Sequence, residues 1–473
     1  MDYVSTRGLA PKLGFEDVLL AGLARDGGLY VPERWPVLSH REIAGLAGKP
    51  FHEVAVEILD PLTGGAIPRV DLAAMCKAAY GSFGHAAVTP LVQIGPNQFV
   101  LELFHGPTLA FKDVAMRLLA RLMDYVLEKR DARATIVGAT SGDTGGAAVD
   151  AFRDARRADV FILFPDGRVS DVQRRMMTTP DSPHLHALSI AGNFDDCQAR
   201  VKDLFNNLPF RDRVQLSGVN SINWARIAAQ VTYYFAAAVA LGAPHRPVSF
   251  AVPTGNFGDI FAAYVARKMG LPIERLTIAT NSNDILARCV KNGIYETRDV
   301  VATSSPSMDI QVSSNFERYL FEASGRDAQC VGQLMNGLKQ SGRFELGPRL
   351  AAALHGEFRA TSADEIAVAA TIKRVFEQSG YLLDPHTACA AHAVSVQGCG
   401  SVPEIILATA HPAKFPDAMQ KITGLRPALP SRLARLMTDP EHMTQLPNDS
   451  RAIETFIAQK TRVVQAAPHG DRA

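Results

Sequence analysis

The chain has few of the features that direct a protein out of the cell, into a membrane or onto nucleic acid. Only six cysteines occur in 473 residues (Cys76, Cys197, Cys289, Cys330, Cys389 and Cys399), dispersed and without a Cys-x-x-Cys pair. That excludes a disulfide framework and reads as reduced core residues. No uncharged apolar segment reaches about 18 residues, so no transmembrane helix is expected. The opening, Met1-Asp2-Tyr3-Val4-Ser5-Thr6-Arg7, has no basic region followed by an apolar run, unlike a signal peptide. An excess of either charge is missing too: 49 Lys+Arg against 48 Asp+Glu leave +1 at pH 7. Neither nucleic acid nor an anionic membrane is therefore expected as a partner. The expected location is the cytoplasm.

Several catalytic signatures are absent as well. His184 and His186 stand two apart and no His-Glu-x-x-His occurs, so no metal site is expected. No Gly-x-Ser-x-Gly elbow supports a serine hydrolase. Neither glycine-rich loop contains G-x-G-x-x-G or a following lysine, which argues against dinucleotides and nucleoside triphosphates. No repeat of fixed period and no low-complexity block is present.

What is present is ordinary in composition, with 47% hydrophobic and 21% charged residues, and long enough for two or three domains. Residues 1 to about 90 carry short helical patterns and turn signals, among them Asp26-Gly27-Gly28 and Pro32, and no long buried strand. Beyond them the pattern becomes strand, glycine turn, helix, repeated. Gln98 to His105, Ala134 to Ala139, Asp159 to Phe164, Val248 to Val252, Arg275 to Ala279 and Glu404 to Ala408 are apolar runs that read as buried strands. Helical runs are expected after the second from Ala147 and after the fourth from Ile260 to about Lys268. Such alternation indicates an α/β fold with parallel sheets covered on both faces. The last eight residues or so are expected to fray.

Chemistry concentrates in the turns. Phe104-His105-Gly106-Pro107-Thr108-Leu109-Ala110-Phe111-Lys112-Asp113 places one lysine between a strand and an apolar helix. A helix N-terminus and apolar neighbours both disfavour the ammonium form, as a Schiff-base lysine requires. Taken alone, Lys112 reads far more readily as a solvated lysine beginning a helix. Gly255-Asn256-Phe257-Gly258-Asp259 opens a helix after a strand, where backbone N–H groups and the dipole favour a phosphate. A tight strand-to-helix turn selects glycine too. Thr140-Ser141-Gly142-Asp143-Thr144-Gly145 combines hydroxyls and amides at another helix start, fit for a carboxylate, a phosphate or a plain N-cap. Asn220-Ser221-Ile222-Asn223-Trp224-Ala225-Arg226 sets two amides and a guanidinium before an apolar helix; Asn223 as an ordinary cap and Arg226 as a surface residue are the competing readings. His386, in Asp384-Pro385-His386-Thr387-Ala388, and His411 both fit a structural role, which is the favoured reading for His411 alone. Thr303 to Ser314, a polar insertion before a helix, acquires no role.

Taken together and in this order, these stretches resemble the threonine synthase family, in the branch with a long N-terminal region. Ser5-Thr6-Arg7-Gly8 and Asp26-Gly27-Gly28-Leu29-Tyr30-Val31-Pro32 are similar to that family's opening, and the resemblance spans residues 3 to about 425. It implies a tryptophan-synthase β-like architecture: two parallel-sheet α/β domains clasping pyridoxal 5'-phosphate, plus a mostly helical N-terminal domain. The implied boundaries are 1–90 for the N-terminal domain, 91–130 with 216–473 for the larger cofactor-binding domain, and 131–215 for the smaller.

By resemblance, Lys112 forms the Schiff base with the cofactor and is the catalytic base. Gly255, Asn256, Phe257 and Asp259 match the phosphate loop, and Thr409 matches a hydroxyl facing the pyridine nitrogen, which leaves the ring a milder electron sink than a carboxylate would. Ser141, Gly142, Asp143 and Thr144 are implied at the substrate carboxylate or cofactor. Asn220, Asn223 and Arg226, with Thr108, are implied at the substrate phosphate, Arg226 first because a guanidinium matches phosphate bidentately. The implied activity is that of a carbon–oxygen lyase acting on phosphates, converting O-phospho-L-homoserine and water to L-threonine and phosphate, in a monomer or homodimer. The rival readings are a phospho-lyase releasing 2-oxobutyrate, a threonine dehydratase, which needs neither the N-terminal region nor a phosphate site, and a catalytically silent binding paralogue.

Overall fold

Every apolar run expected as a strand is one in the computed structural model, which describes residues 1–465. The expected fraying falls on 466–473, outside the described residues. By internal contacts the described residues divide into two units: 1–18, 23–115 and 221–428 form the first, and 19–22, 116–220 and 429–465 form the second.

The first unit is built on six strands in the order Phe358–Ser362, Ile273–Thr280, Val248–Pro253, Glu404–Ala408, Gln98–Glu102, Leu91–Gly95. All are parallel except the last, which runs antiparallel to Gln98–Glu102. Ala251 pairs with Ile406, and Ile406 with Val100. Three adjacent strands therefore end side by side, and from those ends leave the Gly255 loop, Thr409 and the turn that leads to Lys112. Helix Pro385–Gln397 packs its alanines, Cys389 and Val394 against this sheet in one apolar cluster with Val100, Ala251 and Ile406.

The N-terminal 90 residues, apart from 19–22, belong to this unit by contact. They hold helices Phe51–Thr63 and Arg69–Tyr80, as their pattern implied, and also a small antiparallel sheet of Asp2–Ser5, Leu13–Gly14 and Tyr30–Pro32. The two opening motifs meet there. Asp26 accepts hydrogen bonds from Ser5 Oγ (2.8 Å) and from the N–H groups of Gly28, Leu9 and Ala10 (2.9, 2.9 and 2.8 Å). Arg7 pairs through two nitrogens with Glu317 (3.1 and 3.0 Å), and Thr6 donates to the same carboxylate at 2.6 Å.

The second unit carries a five-stranded parallel sheet, ordered Thr444–Leu446, Leu185–Ile190, Ala158–Pro165, Ala134–Ala139, Leu216–Ser217. Residues 429–465 belong here by contact. Thr444–Leu446 pairs with Leu188–Ile190, while Ile453 and Ile457 enter the cluster of Phe161, Leu188 and Leu204. Arg462 Nε also reaches Asp159 Oδ1 at 2.6 Å.

Five strands of the two large sheets had no strong sequence signal: Leu91–Gly95, Leu185–Ile190, Leu216–Ser217, Phe358–Ser362 and Thr444–Leu446. All but Leu185–Ile190 lie at sheet edges, where one rim faces outward and an unbroken apolar run is not required. Two helices begin earlier than expected, at Asp143 and Gly258 rather than Ala147 and Ile260. The motif residues themselves form the first turn. All six cysteines are free, but Cys330 is half-buried and Cys399 exposed, so only four are core residues. Among the described residues no helix is long and apolar enough to cross a membrane.

Candidate active site

The turn before Lys112 is folded around the next residue. Asp113, fully buried, accepts the Thr108 N–H at 2.8 Å and the Thr108 hydroxyl at 2.6 Å. Gly106 has no alternative there, because a Cβ on it would lie 2.4 Å from the Asp113 side chain. Leu109 takes a left-handed backbone, φ 59°. The Phe111 N–H then donates to the Thr409 carbonyl at 2.8 Å, tying the turn to the end of strand Glu404–Ala408. Lys112 emerges as the first residue of helix Lys112–Lys129, only 8% exposed, with Nζ 4.8 Å from the Phe111 ring centroid and 3.4 Å from Ser307 Oγ. The solvated-lysine reading is thereby excluded. Thr108 shapes this turn with both of its donors.

Helix Gly258–Lys268 starts after Phe257, itself left-handed at φ 61°. The N–H groups of Gly255, Asn256, Phe257 and Gly258 meet no protein acceptor among the described residues. Grouped amide donors at the positive end of a helix are an anion site. The loop's carbonyls, in contrast, are held: Gly255 O accepts from Ser313 Oγ at 2.6 Å, and Asn256 O accepts from the backbone and the side-chain amide of Asn315, each at 3.0 Å. Segment 303–315, which had no role from sequence, is therefore the support of this loop. A Cβ on Gly255 would stand 3.1 Å from Ser307 O.

Asp259, the second residue of this helix, is 7% exposed. The buried hydroxyls of Tyr233 and Tyr234 both donate to its Oδ1, the latter at 2.6 Å. Burial pushes its carboxyl up to about 6, against the pull of those two hydrogen bonds and of the Lys112 charge. Its part in the loop is to anchor the first helical turn. Thr409, 5% exposed, has no hydroxyl partner among the described residues.

Arg226 is not a surface residue: it is 2% exposed in helix Trp224–Ala240, and burial lowers its guanidinium to about 10. Asn223 caps that helix, its side chain accepting from Ala225 N at 3.0 Å. Asn220 is exposed. In the second unit, Thr140 Oγ1 accepts from the N–H groups of Gly142 and Gly145, both at 2.9 Å, while Gly142 stands at the N-cap without a side-chain cap. Gly142 has φ 140°, and Asp143, buried, accepts from Gln173 Nε2 at 3.0 Å. Ser141 and Thr144 are half-buried.

Three groups escaped sequence reasoning. Lys414 is a second fully buried lysine, donating to Thr108 O at 2.7 Å. Arg318, fully buried, donates to Tyr30 O at 3.0 Å, to Ile222 O at 2.6 Å and to Asn315 Oδ1. His386 accepts the Ser307 N–H at 3.3 Å and bonds Asp384 through Nδ1 at 2.9 Å. Only His386 had a visible signal, in Asp384-Pro385-His386.

Comparison with known proteins bears on this geometry. The models described as "Threonine synthase N terminus", "Pyridoxal-phosphate dependent enzyme" and "Threonine synthase, C-terminal" match residues 2–80, 83–407 and 387–457. The threonine synthase of Pseudomonas aeruginosa is 50% identical over 461 residues, covering 97% of this chain and 98% of that one. The crystal structure of PLP-bound threonine synthase from Brucella melitensis is 59% identical, with TM-score 0.96 over 98% of this chain and 100% of that one. The yeast threonine synthase structure is 38% identical, with TM-score 0.92 over 97% and 98%.

Proposed function

The chain belongs to the threonine synthase family, and from that premise we propose which of its residues carry the reaction. It is a pyridoxal-phosphate-dependent lyase that converts O-phospho-L-homoserine and water to L-threonine and phosphate. The residues present fit the cofactor. A buried lysine stands beside a helix start whose four leading N–H groups have no protein acceptor among the described residues, and a hydroxyl without such a partner stands at the next strand end. When bound, the cofactor supplies an electron sink for the substrate's α-carbon.

In this scheme Gly255, Asn256 and Phe257 bind the cofactor phosphate through backbone N–H groups, while Asp259 holds the loop through Tyr233 and Tyr234. Thr409 offers its hydroxyl to the pyridine nitrogen. Nζ of Lys112 would be the group that holds the cofactor covalently. As a free amine Lys112 would act as general base and acid one proton at a time: it would take the α-proton and pass it on before taking a β-proton, and would return a proton once phosphate has left and before water adds at the β-carbon. Arg226 binds the substrate phosphate, with Asn223 and Asn220 near it in sequence, and Ser141, Gly142, Asp143 and Thr144 bind the carboxylate. Thr108 is assigned to the Lys112 turn. These roles need residues of one chain only, in keeping with a monomer or homodimer, and the free cysteines support a reducing, cytoplasmic setting.

The observation that carries the assignment is the buried Lys112 amine beside the acceptor-free N–H groups of the glycine loop. Incubating the holoprotein with O-phospho-L-homoserine should release phosphate and threonine in equal amounts. Phosphate with 2-oxobutyrate instead would make it a phospho-lyase. Arg226→Ala should raise KM for the phosphorylated substrate about 10- to 100-fold, the worth of a charge-assisted bidentate pair. Binding of unphosphorylated amino acids, followed by the cofactor's spectrum, should barely change. An equal loss for both would remove Arg226 from the phosphate site.

A further inference from the structure

Segment 303–315 is tied down at both ends, and a serine sits at its middle beside the reactive amine. At one end Asp309 accepts from Thr303 N (2.9 Å), Thr303 Oγ1 (2.6 Å), Asn281 Nδ2 (2.7 Å) and Asn283 Nδ2 (3.0 Å). At the other, Ser313 donates through its N–H to Tyr295 OH at 2.7 Å and through its hydroxyl to Gly255 O. Between them the Ser307 N–H meets His386 Nε2, whose ring is 3% exposed. A carboxylate only accepts, so the Asp384 contact at 2.9 Å places the ring proton on Nδ1 and leaves the Nε2 lone pair for Ser307. Ser307 Oγ then lies 3.4 Å from Lys112 Nζ.

We propose that Ser307 is the positioning residue for the Lys112 amine, accepting a hydrogen bond from Nζ and so aiming its lone pair, while His386 and Asp384 fix the backbone that carries it. This rests on Lys112 being the reactive amine. An amine on a flexible four-carbon stem has many orientations. One acceptor on a rigid segment selects among them, and it serves the two events that need a directed lone pair: capture of the cofactor's aldehyde and removal of the α-proton. Water cannot replace, at this precision, a hydroxyl carried on a segment tied at both ends, since a misplacement of about 1 Å costs up to about 100-fold in rate.

The test uses Ser307→Ala and Ser307→Thr in the full chain. Each is stripped of pyridoxal phosphate, and its uptake of the cofactor is timed at the visible band. Turnover of O-phospho-L-homoserine is then measured on the reloaded protein. Ser307→Ala should take up cofactor about tenfold more slowly and lose about tenfold in kcat with KM within about twofold. Ser307→Thr, which keeps the hydroxyl, should restore both. Wild-type uptake and kcat in the alanine variant overturn the proposal, and so does a threonine variant as poor as alanine, which marks packing alone. Borohydride reduction and peptide mapping of the wild type separate the underlying assignment. Cofactor trapped on Lys112 supports it; cofactor trapped on another lysine, such as Lys414, overturns it and this proposal together.

Discussion

Lys112→Ala is expected to remove turnover, by more than about 10,000-fold in kcat, because one side chain is both the cofactor's covalent anchor and the base. The visible absorbance of the loaded protein should vanish with it. The fold should survive, because the turn around Lys112 is held by its neighbours. Asp113 takes both donors of Thr108, Phe111 N bonds Thr409 O, and Val114, Ala115 and Leu118 bury the helix that follows. Alanine is the better helix former and removes a cation from a helix N-terminus, effects of about 0.3 to 1 kcal/mol in the stabilising direction. The variant should therefore melt at or slightly above the wild-type temperature. A variant that keeps the visible band would transfer the reactive role to a different amine, and Lys414 is the buried lysine to map first.

Arg318→Met should produce the largest loss of stability, about 3 to 5 kcal/mol, because it strands three buried acceptors in the folded state. Methionine has nearly the volume of arginine but none of its donors. Tyr30 O, Ile222 O and Asn315 Oδ1 all lose their partner at once. Burial already pulls the guanidinium down to about 9, and recovering that desolvation cost offsets part of the loss. The functional consequence follows from Asn315, which holds the Asn256 carbonyl. With Asn315 released, the glycine loop loses its fixed geometry and the dissociation constant for pyridoxal phosphate should rise at least about tenfold. Thermal melting and equilibrium cofactor titration measure the two effects. Wild-type values in both would show that the N-terminal motifs do not support the site through Arg318.

Arg318 also explains why an N-terminal region without chemistry of its own is legible as a motif. Ser5-Thr6-Arg7 and Asp26 to Pro32 fold onto each other around Asp26 and present Thr6, Arg7 and the Tyr30 carbonyl to Glu317 and Arg318. These two residues sit one helical turn from Asn315. Nothing in the local pattern of residues 313–318 announces this, since the contacts join positions about 300 apart in the chain.

The amino-acid sequence by itself determined the α/β class, the six strands and the positions of Lys112 and the two glycine loops. It could do so because apolar runs, helical spacing and glycine at strand-to-helix turns are local properties, written in a few consecutive residues. It also placed Asp259 and Thr108 in their loops but could not show the side chains that bond them. Tyr233 and Tyr234, hidden in an apolar helix pattern, claim the Asp259 carboxylate, and Asp113 claims Thr108. Only the tertiary structure decided that Arg226 is buried, that a featureless polar insertion carries the glycine loop, and that Ser307 meets the Lys112 amine. Each of these depends on hydrogen bonds between distant segments that parallel strand order brings to one sheet edge, and a buried polar group takes whichever partner that packing supplies.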